Sequence, residues 1–263
     1  MNLVEFNRGR DSTVMLVHGG NVAGWMWGEQ LPALADFHVL VPDLPGFGAS
    51  NDEPWVSQAH TADRLAELIT DRASGGAAHV VGLSLGAGIG VHLAARHPDR
   101  VASLLISSTS VTAPGRAAQL AGHAMLAVWN RPWFWRVLAR GYALPADSVA
   151  LFVETGLGIE RETALAVFDE VTRGFTPEQL AAVRVPTLAV AGGRDAAAVK
   201  SLEPIRRHLG GASVATAPGM HHQWNIENVT LFNAMVVEWI TRSTLVDGLV
   251  NTSAVEGRQS QRE

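Results

Sequence analysis

Short apolar runs, rich in β-branched residues, alternate along this chain with longer segments whose apolar positions recur at helical spacing. Runs of strand length lie at residues 3–6, 14–18, 38–41, 79–83, 101–107, 187–191 and 213–217. Between most of them the period changes, and helices are predicted over 61–73, 85–97, 197–209 and 227–241, with Pro98 closing the second and Gly210 stopping the third. This alternation predicts an α/β fold, a mostly parallel central sheet flanked by helices. It fails between residues 110 and 183, where no strand pattern appears and helical stretches at 119–129, 133–142, 147–155 and 162–172 follow one another. An inserted helical cap over 111–183 is the reading, with the core split into 1–110 and 184–244. Thr176-Pro177-Glu178-Gln179 marks a helix start, with Thr176 capping, Pro177 in the first position and Gln179 completing a capping box. Residues 245–263, with their Asn-Thr-Ser and Arg-Gln-Ser-Gln-Arg stretches, are expected to form a solvated, disordered tail without catalytic residues, or else a partner-binding extension.

Composition narrows the function. At 263 residues the chain can form one large domain with an inserted subdomain. A net charge of −5 without any basic run argues against a nucleic-acid partner and leaves a small molecule as the expected one. With no cysteine, neither a disulfide framework nor a thiolate metal site is available, and the nucleophile cannot be a thiol. The adjacent His221 and His222 have no third ligand at metal spacing, so no metal or other cofactor is expected. Residues 77–95 are uncharged, but His79, Ser84, His92 and four glycines within them fit a buried strand and turn better than a membrane span. The amino terminus lacks the basic start and long apolar stretch of a secretion signal, so a cytoplasmic location is expected.

The chemistry begins at Gly82-Leu83-Ser84-Leu85-Gly86, set between a strand-like run and a small-residue helix. Such a turn holds one serine in an exposed, strained position, and its glycines allow strand and helix to approach. A serine that attacks needs a base, an acid behind that base, and N–H donors for the developing oxyanion. Asp195 follows the apolar run 187–191 and Gly192-Gly193-Arg194, and His222 follows the run 213–217 and a Pro218-Gly219 turn. The chain order Ser, Asp, His is that of a triad mounted on the carboxyl ends of successive parallel strands. The Leu85 N–H, next to the nucleophile at a helix amino terminus, is the first candidate oxyanion donor.

Two further motifs, Val14-Met15-Leu16-Val17-His18-Gly19-Gly20 and Asp43-Leu44-Pro45-Gly46-Phe47-Gly48-Ala49-Ser50, complete a set that resembles the α/β-hydrolase superfamily from about residue 14 to about residue 241. The resemblance implies Ser84 as nucleophile, His222 as base, Asp195 as orienting acid, and Gly20 as the second oxyanion donor ahead of Asn21. His222 is chosen over His221 because the family's base follows a Pro-Gly turn and precedes a glutamate by five positions, here Glu227. His18 is expected to hold the oxyanion loop, and Asp43 and Ser50 to tie their glycine-rich turn. The sheet departs from the family in having one candidate strand before Val14 where two are common. Trp129, Trp133, Phe134, Trp135 and Phe152 either roof the site or fill the core of the cap. The implied activity is hydrolysis of a small, largely apolar ester or lactone through an acyl-enzyme. Cleavage of carbon–carbon bonds, cofactor-free perhydrolysis, and a ligand receptor that keeps the pocket are the alternatives.

Overall fold

The computed structural model describes residues 1–142 and 144–252. Eight strands form one sheet: β1 (Leu3–Phe6), β2 (Thr13–Val17), β3 (His38–Pro42), β4 (Ala78–Leu83), β5 (Val101–Ser107), β6 (Thr187–Gly192), β7 (Ser213–Ala217) and β8 (Val250–Asn251). Their spatial order is β1-β3-β2-β4-β5-β6-β7-β8. The six inner strands pair in parallel, and β1 and β8 close the two edges in antiparallel sense. Every residue of β2, β3 and β6 is buried, as a parallel sheet covered on both faces requires, which is why these runs lack a polar alternate position.

All seven strand-like runs of the sequence are strands. The eighth lies where a solvated tail was expected: within residues 245–252, Val250 and Asn251 pair with Thr216 and Ala215 and cover the β7 edge. Residues 253–263, the rest of that expected tail, lie outside the described residues. Two helices pack beside the middle of the sheet. One is α1 (Gln58–Arg72), capped by Ser57, and the other is α2 (Leu85–Arg96), which lies on β4 and β5.

Between β5 and β6 the chain builds α3 (Arg116–Met125), α4 (Pro132–Gly141), α5 (Ala146–Gly158), α6 (Arg161–Val171) and the short α7 (Pro177–Ala181). Thr176 and Gln179 form the expected capping box at α7. Rings hold the centre of this insertion: Trp135 is fully buried, donates Nε1–H to the Trp129 carbonyl at 2.7 Å, and meets Phe152 edge-on. Polar ties from α6 and α5 help to seat the insertion on the sheet domain. The Glu170 carboxylate accepts the Gln58 N–H at 2.9 and 3.0 Å, and the Trp25 indole N–H donates to the Thr155 hydroxyl at 3.0 Å. After β6 come α8 (Ala196–His208), α9 (Trp224–Glu227) and α10 (Val229–Arg242). Among the described residues no helix is long and apolar enough to cross a membrane, and the stretch over residues 77–95 is β4 followed by α2.

Candidate active site

Ser84 stands at the end of β4 with φ 54° and ψ −112°, a backbone conformation that a residue with a side chain adopts only under restraint. The restraint is visible. Its N–H donates to the Ser107 carbonyl at 2.9 Å, and its carbonyl accepts the Thr109 hydroxyl at 3.1 Å. The flanking glycines are required by space rather than by φ. A Cβ on Gly86 would stand 2.5 Å from the His18 carbonyl oxygen, and one on Gly82 would stand 2.6 Å from the Gly86 carbonyl carbon. The bend can therefore close only with hydrogen at both positions. Leu85 is the first residue of α2, so its N–H has no acceptor within the helix and is free to serve a ligand.

The loop that carries Gly20 is held by His18, which is fully buried. Its Nε2 faces the Leu44 N–H at 2.9 Å and must accept, which leaves the proton on Nδ1 to be donated to the Gly19 carbonyl at 2.7 Å. Burial holds His18 below the ordinary histidine range, opposed by the Gly19 carbonyl and the Asp43 charge, so the ring is a neutral strut between the two loops. The Asp43 carboxylate accepts the N–H groups of Gly24 at 2.8 Å and Ala49 at 2.9 Å, and Ser50 Oγ accepts the Asn2 N–H at 2.7 Å. These groups tie the glycine-rich turn, as read from the sequence.

His222 Nδ1 lies 2.6 Å from Asp195 Oδ2. Asp195 also caps α8 through its other oxygen, which accepts the Ala198 N–H at 3.2 Å. Burial pushes this carboxyl up, but the His222 hydrogen bond and charge, with the N–H groups of Ala198 and Ala197, outweigh it and hold the group below its usual range. Asp195 is thus an anion fixed behind one imidazole. The neighbouring His221 points elsewhere: its ring and its N–H both engage the Glu227 carboxylate, at 2.9 and 2.7 Å. The structure therefore brings Asp195 together with His222 and not with His221.

Ser84, Leu85, Gly20 and His222 line one cavity of about 250 Å³, with Asp195 behind the imidazole and off the cavity wall. No hydrogen bond joins Ser84 Oγ to His222 among the described residues; the two groups line the same cavity. The roof comes from the inserted helices through Leu126, Trp129, Phe134, Leu138, Val167 and Phe168. The aromatics of the insertion divide, with Trp129 and Phe134 facing the cavity while Trp135 and Phe152 fill the core of the cap and Trp133 is exposed. Among the described residues no Asp, Glu, Lys or Arg lines the cavity. A larger space of about 580 Å³ lies between Trp25, Trp27 and α5, and holds none of the groups proposed for chemistry. No cluster of His, Cys, Asp or Glu able to hold a metal occurs among the described residues.

Several contributors carried no local signal. Ser107 and Thr109, which buttress Ser84, look in the sequence like a polar strand end; Ser107 Oγ also accepts the indole N–H of the fully buried Trp224 at 2.9 Å. Tyr142, the single tyrosine of the chain, stacks on His222 with ring centroids 5.9 Å apart and planes 22° apart. No spacing rule connects a residue at the end of α4 to a loop eighty positions later.

Comparison with known proteins agrees with this architecture. Residues 12–165 match the family described as the alpha/beta hydrolase fold. An AB hydrolase superfamily protein of Gibberella zeae is 32% identical over 253 residues, covering 92% of this chain and 84% of the relative. A pimeloyl-[acyl-carrier protein] methyl ester esterase of Chromobacterium violaceum is 40% identical over 111 residues, 42% of each chain. Among solved structures, a thermophilic esterase from Thermogutta terrifontis superposes with a TM-score of 0.75 at 25% identity, covering 90% of this chain and 92% of the other. With its strained serine bend, its parallel sheet and an insertion after β5, the chain belongs to the α/β-hydrolase fold family.

Proposed function

We propose that the chain is a serine hydrolase that cleaves a small, largely apolar ester or lactone through an acyl-enzyme. Ser84 Oγ attacks the carbonyl carbon while His222 Nε2 takes its proton, and the Leu85 and Gly20 N–H groups receive the oxyanion. Collapse expels the alcohol, which is protonated by His222; water then attacks the acyl-Ser84 ester by the same route and releases the acid. Asp195 keeps the Nδ1 proton in place and stabilises the imidazolium at each stage.

The observation that carries this reading is the cavity wall. It combines a strained serine, an imidazole backed by a fixed carboxylate and a free helix N–H with a lining that, among the described residues, contains no formally charged side chain. A neutral ester fits, because an ionised substrate would lose its hydration with nothing to pair it. The volume of about 250 Å³ lies below the ~300–1,000 Å³ usual for drug-sized ligands, so short acyl groups are favoured. The names of relatives, an esterase in both the sequence and the structure comparison, support the same bond type.

The test is a p-nitrophenyl ester series of increasing acyl length with wild type and Ser84→Ala. Turnover should peak at short chains, and Ser84→Ala should lose both turnover and labelling by a serine-directed phosphonate while keeping its melting temperature. Turnover retained in Ser84→Ala refutes the assignment.

A further inference from the structure

The cap insertion meets the proposed base at Tyr142. Tyr142 follows α4, and its ring lies nearly parallel to that of His222, with centroids 5.9 Å and planes 22° apart. The phenol stands between two spaces. It lines the Ser84 cavity on one side and, on the other, an outer cleft formed with Gly141, Arg194, Asp195 and His221. Asn21, one residue beyond the proposed oxyanion donor Gly20, lines the Ser84 cavity with it. Asn21 itself is held at φ 68°.

Behind Tyr142 the contacts continue into the cap. Phe152 of α5 meets Tyr142 edge-on at 6.0 Å and Trp135 at 5.6 Å, and Trp135 in turn meets Trp129 at 4.5 Å. A row of rings therefore runs from the buried centre of the cap to the imidazole. Close-packed rings transmit position, because each fills the space that its neighbour would need to rotate.

We propose that Tyr142 is a positioning residue for His222: its face stops the imidazole from swinging toward the outer cleft and keeps Nε2 directed into the Ser84 cavity. This rests on the serine-hydrolase reading above. Asp195 holds one edge of the ring by a single hydrogen bond, which leaves rotation about that bond open; the stacked phenol removes it. Stacking also places the electron-rich face of the phenol against the ring that becomes a cation during turnover. Burial, with a smaller contribution from the Asp195 charge, raises Tyr142 above the ordinary tyrosine range against the opposing effect of Asn21, so it acts as a neutral ring. The insertion thus contributes to catalysis as well as to the walls of the pocket.

The experiment compares Tyr142→Leu, Tyr142→Phe and wild type by kcat and KM on a short-chain p-nitrophenyl ester, by the rate of phosphonate labelling, and by proton NMR of the His222 ring. In Tyr142→Leu, kcat and the labelling rate should fall together by roughly 10- to 100-fold, the scale of a small misplacement of a reacting group, with KM little changed. Tyr142→Phe should restore both. The His222 ring protons, identified by their loss in His222→Gln, should lie upfield in wild type and Tyr142→Phe and move downfield in Tyr142→Leu, a readout that needs no substrate. A full kcat in Tyr142→Leu, a loss confined to KM, a Tyr142→Phe as slow as Tyr142→Leu, or His222 resonances indifferent to the ring would each overturn the proposal. Failure of the phosphonate to label wild type would overturn the serine-hydrolase reading and this inference with it, whereas a labelled wild type with an unaffected Tyr142→Leu removes the inference alone.

Discussion

Replacing Asp195 by asparagine changes almost no volume and isolates what the carboxylate does. In the native arrangement one oxygen lies 2.6 Å from His222 Nδ1 and the other accepts the Ala198 N–H at 3.2 Å. An amide has one acceptor end and one donor end, so it cannot serve both. If its oxygen stays on Ala198, its NH₂ faces Nδ1, which must then carry a lone pair; the ring proton moves to Nε2, where it blocks acceptance of the Ser84 proton. If the amide turns over, NH₂ confronts the Ala198 N–H, leaving that donor unpaired at a cost of about 1–3 kcal/mol. In either case the imidazolium loses its anionic partner. Together these effects amount to about 3–5 kcal/mol of transition-state stabilisation, or roughly 100- to 10,000-fold in rate. Stability should hardly move in the first arrangement, which keeps the helix cap, because asparagine caps a helix about as well as aspartate. The assay is kcat/KM on a short p-nitrophenyl ester beside a thermal melt. An Asp195→Asn enzyme within tenfold of wild type would show that the 2.6 Å contact does not orient the base.

Other perturbations test neighbouring parts of the argument. Gly86→Ala places a methyl 2.5 Å from the His18 carbonyl oxygen and 2.6 Å from the Val17 carbonyl carbon, both backbone; a loss of at least about 1–3 kcal/mol and a fall in kcat are expected, and a variant with wild-type melting and turnover would contradict the close approach. Gly156→Ala drives a methyl to 2.6 Å from Trp135 Cε2, so the cap should loosen despite alanine's helix preference of up to about 1 kcal/mol; faster proteolysis within residues 111–183 is the readout, and slower proteolysis would count against it. His18, with its folded pKa depressed below 6.5 by burial, is neutral in the native state, so the unfolded chain binds the extra proton. Its stabilising contribution is complete above about pH 6.5 and declines as the pH falls below that value toward the folded pKa. Melting temperature should drop between pH 7.5 and 5.5, and less so in His18→Gln; equal slopes in the two proteins would refute the neutral strut.

Much of this molecule was legible in the chain because its local rules and its fold agree. Strands β2, β3 and β6 are buried along their whole length, since a sheet covered on both sides leaves no wet face there, and the glycines around Ser84 mark a bend in which a Cβ at either position would meet backbone. The helices of the insertion were also readable from their period. The two-residue β8 was not: Val250 and Asn251 are exposed and are held by pairing with β7, while Leu245, Val246 and Leu249 just before them pack against the core, contacts that exist only in the folded chain.

Residue type and spacing determined the α/β class, the strand-to-helix bend at Ser84, and a short set of candidate partners on later strands. Tertiary structure alone decided that Asp195 faces His222 while Glu227 engages His221, that Trp129 and Phe134 face the cavity while Trp135 and Phe152 fill the cap, and that Tyr142 lies on the imidazole. The reason is the range of the forces involved. Backbone propensity and hydrophobic period act over a few residues and are written in neighbouring letters, whereas the direction of a side chain across the site is set by contacts between segments far apart in sequence, which exist only once the sheet and its insertion have closed on each other.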